Sequence, residues 1–186
     1  IQDMNTLHVL NPRIAFRDIT NRTNSRTVIP CLIPPNTFAT NTAPVLIFSK
    51  GDKKDEAYLL GVLSSIPLDW YARRFVEIHL NFFILNPFPI PRPQRDNYLW
   101  QRVVQISGRL ASTDARFKKW SQEVEVEFGP LESEKKYEMI CELDALVSHL
   151  YGLSEKHLIH IFKTFHEGWN YEMRLNKVLS YYHKYI

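Results

Sequence analysis

At 186 residues, with 45% hydrophobic and 13% aromatic side chains, the chain can bury a real core, which excludes the disordered class. A formal charge of +3 and a pI near 8.8 are too modest to imply a nucleic-acid partner by themselves. Their distribution is more telling: residues 1–110 carry 13 Lys/Arg against 8 Asp/Glu, net +5, whereas residues 111–186 carry 10 against 12, net −2.

Residues 13–17 (RIAFR) alternate as a strand should, with Ile14 and Phe16 on one face and Arg13, Ala15 and Arg17 on the other. Four residues at ~3.3 Å each separate the two arginines by about 13 Å. Residues 20–26 (TNRTNSR) read as a polar loop, and residues 27–33 as a second strand that Pro30 confines to a sheet edge or a bulge. Residues 45–48 give a short third strand. Asp55 is positioned to cap a helix over residues 56–64, and Pro67 should break it near Ser65 and let it restart through Trp70 to Phe75. Residues 78–85 are dense in apolar and aromatic side chains and predict a central strand, followed by an extended, proline-stiffened exit over residues 86–93.

Beyond Pro93 the period changes. Leu99, Val103, Ile106 and Leu110 define one amphipathic helix, and Phe117, Trp120 and Val124 suggest another. Met139, Ile140, Leu143, Leu146, Val147 and Leu150 form the stripe of a long helix over residues 134–151, which Gly152 should end. Ser154 can cap the next helix, with Leu153 and Leu158 as its staple, and a last helix spans residues 171–185. The organisation is α+β: a mixed sheet with packed helices over residues 1–95, then a helical C-terminal subdomain over residues 96–186.

Several chemistries find no support. The six glycines are scattered, so there is no glycine-rich loop for a nucleotide or for S-adenosylmethionine. Asn86-Pro87-Phe88-Pro89 and Ile33-Pro34-Pro35-Asn36 imitate an Asn-Pro-Pro-aromatic amine-binding loop, but the first separates its prolines and the second lacks both flanking residues. Asp52-Lys53-Lys54 and Glu134-Lys135-Lys136 lack the companion carboxylates of a metal-dependent nuclease. His149, His157, His160 and His166 with Cys141 read better as surface or cap residues than as zinc ligands. With two distant cysteines and no apolar run near the roughly 18 residues of a membrane span, the expectation is a reduced, soluble, cytoplasmic protein with no membrane partner. The chain opens Ile1-Gln2-Asp3-Met4, without an initiator methionine or a leader, and is expected to be a piece of something longer.

Three segments carry a resemblance: residues 13–35 (RIAFRDITNRTNSRTVIPCLIPP), residues 57–93 (AYLLGVLSSIPLDWYARRFVEIHLNFFILNPFPIPRP) and residues 128–165, which include ELDALVSHLYGL. In this order they resemble the C-terminal target-recognition region of adenine-specific DNA methyltransferases: the TaqI type, the single-chain type IIG restriction-modification enzymes and the methyltransferases of BREX phage exclusion. The resemblance implies a module that binds double-stranded DNA and serves a catalytic methyltransferase domain of the same chain. No cofactor would be held in this fragment; S-adenosylmethionine would bind the catalytic domain. Two other readings stay open, a specificity subunit of a type I restriction system and a helical protein-interaction module.

On this reading the candidate DNA contacts are Arg13, Arg17, Arg22, Thr23, Arg26 and Thr27 in the first segment and Arg73, Arg74, His79 and Asn81 in the second, with Lys50, Lys53 and Lys54 on a loop tip between them. Each has a plainer alternative. The 20–26 loop could be a solvated turn, Arg73 and Arg74 could simply favour a helix C-terminus, His79 and Asn81 could satisfy neighbouring backbone, and the lysines could serve solubility. Trp70, Trp100, Trp120 and the phenylalanines of residues 82–88 are expected in the core.

Overall fold

The sheet forms around β1 (Arg13–Phe16), with β2 (Pro30–Ile33) on one side and β3 (Val45–Leu46) on the other. The computed structural model describes residues 7–21 and 23–186, and its class is α+β. Both pairings are antiparallel, Arg13 opposite Ile33 and Phe16 opposite Pro30 in one, Ala15 opposite Val45 in the other. The sheet is therefore antiparallel rather than mixed: residues 17–29 and 34–44 return the chain with no helix, among the described residues, to carry it across the sheet as a parallel pair usually needs. Pro30 is tolerated because β2 is an edge strand.

Helix α1 (Lys53–Ser64) is capped by Asp52, not by Asp55. The Asp52 carboxylate accepts from Lys54 N and Asp55 N, and Asp55 returns a carboxylate oxygen to Asp52 N at 3.0 Å, a reciprocal capping box. The chain breaks at Ser65 and restarts as α2 (Ile66–Ala72), with Pro67 in its first turn, where a missing N–H costs nothing.

Residues 78–85 do not form a central strand. Among the described residues they form one bridge, Ile19 with His79, supported by Thr20 N donating to Ile78 O and Leu80 N to Asp18 O, both at 2.8 Å. Asn81 then caps a single helical turn, α3 (Phe82–Leu85), by accepting from Ile84 N at 3.1 Å. The local cap captures the run before a ladder can extend.

The remaining helices follow their apolar periods: α4 (Tyr98–Ala111), α5 (Lys118–Val124), α6 (Ser133–Leu150), α7 (Glu155–Phe165) and α8 (Glu172–Lys184). Gly152 ends α6 with a left-handed φ of 65°, and Ser154 caps α7 through His157 N. The larger core joins Ile14, Phe16 and Leu80 to Trp100, Ile106, Trp120 and Leu146, so it runs across residue 95. A smaller one gathers Ile66, Ala145, Leu158, Phe162 and Val178 between α2, α6, α7 and α8.

Gly61 lets α1 approach α4 closely: a Cβ there would lie 2.8 Å from Val103 Cγ1 and 3.0 Å from Ser107 Cβ. Gly61→Ala gains about 1 kcal/mol of helix propensity but overpacks this contact at a cost of roughly 1–3 kcal/mol. We expect a net loss in the urea midpoint; a gain would show that the helices separate freely.

Buried Glu142 on α6 accepts both arms of the Arg102 guanidinium, at 2.7 and 2.8 Å, and the Tyr185 hydroxyl. Burial pushes its carboxyl up, but these hydrogen bonds outweigh burial and hold it below its ordinary 4.5. A depressed carboxyl stabilises above the unfolded value and loses that contribution as pH falls through the folded one. Stability should therefore drop as pH falls below 4.5, and urea titrations of Glu142→Gln should show a shallower acid loss; an unchanged slope would place the acid sensitivity elsewhere.

Candidate nucleic-acid interface

Asp69, in the first turn of α2, is fully buried and organises the loop over residues 20–27. Its Oδ1 accepts from Thr27 N at 3.0 Å and Val28 N at 3.1 Å, and its Oδ2 accepts from Arg26 Nε. Arg26 also donates through Nη2 to Ser64 O at 2.7 Å and Ser65 O at 3.2 Å, the carbonyls at the end of α1. Thr20 Oγ1 donates to Thr27 O at 2.9 Å, closing the loop on itself. Buried Arg73 donates to Asn24 O at 2.6 Å, lies 3.9 Å from Asp69 Oδ1 and stacks 4.1 Å from the centre of the Phe165 ring. Burial lowers its guanidinium from the ordinary value, and Asp69 opposes the shift.

Around this buried centre the loop presents polar groups outward. Asn21 Oδ1 accepts from Thr23 N and Oγ1 and from Asn24 N at 2.9, 2.6 and 3.0 Å, which fixes the turn. Exposed Arg17 donates to Thr20 Oγ1 at 3.4 Å and, with the Asn24 amide turned to suit its neighbours, to Asn24 Oδ1 at 2.8 Å. Exposed Arg74 lies 4.7 Å over the Trp70 ring, whose Nε1 donates to Thr164 Oγ1. Thr23, Arg73 and Arg74 line an open cleft of about 460 Å³ with Thr164, His166 and Glu167. His79 pairs with Asp18 at 2.8 Å beside the Ile19 bridge.

The structure thus gathers Arg17, Thr23, Arg26, Thr27, Arg73 and Arg74 around one loop, with His79 next to it. Arg26 and Thr27 are spent on Asp69, so they hold the surface rather than form it. Asn81 is occupied as the α3 cap. Arg13 donates to Thr37 O at the opposite end of β1 from Arg17. Lys53 and Lys54 pair with Glu56 and Glu125 at 2.6 and 2.8 Å at the start of α1. Arg26 binds the other end of that helix, and eleven residues at 1.5 Å each put the two groups about 16 Å apart along the axis. Lys50 is exposed near the same end, and Arg22 lies outside the described residues.

A second feature adjoins the rim. Tyr71, Phe75 and Phe88 form a ring cluster with centroids 4.9 to 6.4 Å apart, and with Phe82, Phe83 and Asn86 they line an open, mainly apolar cleft of about 560 Å³. Trp100 and Trp120 are buried as expected, but Phe83 is 89% exposed and Phe75 52%. Along residues 82–88 the expected core position holds for Phe88 but not for Phe82 and Phe83; the signal available was Asn81, whose capping turns α3 so that only Leu85 of that turn is buried. Asp69 was missed because its partners lie 41 to 43 residues away. Among the described residues, no group of three or more His, Cys, Asp and Glu could hold a metal, and no helix is long and apolar enough to cross a membrane.

Among known proteins, no family model, no curated protein and no solved structure matches the chain.

Asp69→Ala should remove the partner of two backbone N–H groups and of Arg26 and cost about 3 kcal/mol. Urea denaturation measures this; a loss below about 1 kcal/mol, within the range of one ordinary hydrogen bond, would mean the loop is held by other contacts.

Proposed function

We propose that this chain is a DNA-binding target-recognition module of a restriction-modification or phage-defence adenine-N6 methyltransferase. It performs no catalysis itself and serves a catalytic domain of the same chain that uses S-adenosylmethionine. The supporting observation is the loop over residues 20–27, pinned from beneath by buried Asp69 while Arg17, Thr23 and Arg74 face outward around it. Cations and hydroxyls held on a rigid loop can meet phosphate oxygens without a large ordering cost, and bound cations displace counterions from the duplex. Exposed His79, which pairs with Asp18 through one ring nitrogen, can offer the other to a base edge beside the rim. The paired lysines at the start of α1 are outside this contact surface.

A salt series with a random duplex tests the reading, since log affinity should fall with log salt at about −0.9 for each neutralised phosphate. Arg17→Ala and Arg74→Ala should each make the slope shallower by roughly one such step at a stability cost in urea of no more than about 1 kcal/mol; Lys53→Ala should leave the slope as it is. Absence of binding at low salt would overturn the proposal.

A further inference from the structure

The end of α2 gathers three guanidiniums, those of Arg26, Arg73 and Arg74, near one buried carboxylate, Asp69. Burial lowers the Arg73 guanidinium from its ordinary value against the pull of Asp69, and the like charges of Arg26 and Arg74 press it in the same direction as burial. This crowding opens to solvent at the cleft between the residues that follow α2 and the end of α7, whose charged or ionisable lining residues are Arg73, Arg74, His166 and exposed Glu167.

The walls of the cleft are tied together. Trp70 Nε1 donates to Thr164 Oγ1 at 2.8 Å, and the Arg73 guanidinium lies against the Phe165 ring, so α2 and α7 cannot part without losing both contacts. The lining hydroxyls are already engaged, Thr23 Oγ1 donating to Asn21 Oδ1 and Thr164 Oγ1 to His160 O. Arg74 differs from them: it rests over the Trp70 ring, but its N–H groups donate to no described residue, and the His166 ring likewise has no hydrogen-bond partner among the described residues. A guanidinium on one wall and an imidazole on the other suit a group whose oxygens point in several directions at once. We infer that this cleft is a phosphate site, in which Arg74 and His166 bond the oxygens from the two walls, the Arg73 charge adds attraction and Glu167 opposes it. The inference rests on the nucleic-acid reading above and extends it, because it gives residues 111–186, net −2 by sequence, a direct share in binding through the end of α7. The phosphate can belong to an internal phosphodiester or to a strand end.

The test uses the 186-residue chain and inorganic phosphate, titrated against chloride at fixed ionic strength and followed by the backbone amide resonances of residues 74 and 164–167. These should shift saturably with phosphate alone. Glu167→Gln should tighten phosphate, and His166→Ala weaken it, each on the order of 3-fold. No saturable shift, or an affinity that neither variant alters, would overturn the site. Anisotropy with one duplex carrying 5′-hydroxyl or 5′-phosphate ends separates the sources: equal affinities that His166→Ala weakens support an internal phosphodiester, and tighter binding of the phosphorylated ends supports a strand terminus. Duplex binding without any phosphate response would overturn the site and leave the duplex reading standing. Saturable phosphate binding without duplex binding would support the site and overturn the duplex reading; failure of both would overturn both.

Discussion

A carboxylate cannot remain buried and unpaired, and Asp69 meets that constraint with the backbone of residues 27 and 28 and the side chain of Arg26. The consequence reaches beyond one ion pair. Arg26 also takes the carbonyls of Ser64 and Ser65, so the end of α1, the first turn of α2 and the end of the 20–27 loop meet at a single guanidinium. Asp144 does the corresponding work from the other side: its carboxylate accepts from Ile66 N at 2.8 Å and from Arg174 at 2.6 Å. Helix α2 is seven residues long and would be marginal alone, yet Asp144 accepts from its first N–H and its own Asp69 ties it to the 26–28 segment. The α1–α2 break is therefore over-determined, and every feature attached to α2 inherits a fixed position.

This division of labour explains why so many arginines are needed for so small a cationic surface. Arg26 bridges three acceptors with one planar fork, which a lysine ammonium could not do at the same position, while Arg73 reaches Asn24 O and lies against the Phe165 ring. Asp69 offsets one of these two charges, and both guanidiniums are turned inward. The exposed cations at this rim are Arg17 and Arg74, so net charge counted along the sequence overstates what a ligand would meet there.

Much of the fold was legible from local signals. The stripes of α4 and α6, the Gly152 stop, the Ser154 cap and the edge position of Pro30 all follow from groups that act within a few residues of one another. The α1 cap was misread by three residues because Asp52 and Asp55 both belong to one box, and either alone looks sufficient. Residues 78–85 failed for a different reason. Their composition is that of a strand, but Asn81 offers its own acceptor to Ile84 N, a choice made by one side chain that propensity does not weigh. Of the candidate site, the sequence indicated the loop and the helix end that the structure brings together, but which arginines are spent internally depended on partners some 40 residues away.

The segment after α2 shows how anchoring and presentation are combined. Val76, Leu80, Leu85 and Phe88 are buried, at irregular intervals of four, five and three, while Phe75, Ile78 and Phe83 between them stand in solvent. No single period produces that pattern; it results from a turn, a one-residue bridge and a capped helical turn in succession. Each anchor limits how far the exposed residue beside it can move, and the bridge to Asp18–Thr20 ties the segment to the loop that Asp69 holds. The cationic rim and the aromatic cleft are thus fixed to the same support, and a change in the loop's position would be felt in the cleft through Leu80 and the Ile19 bridge.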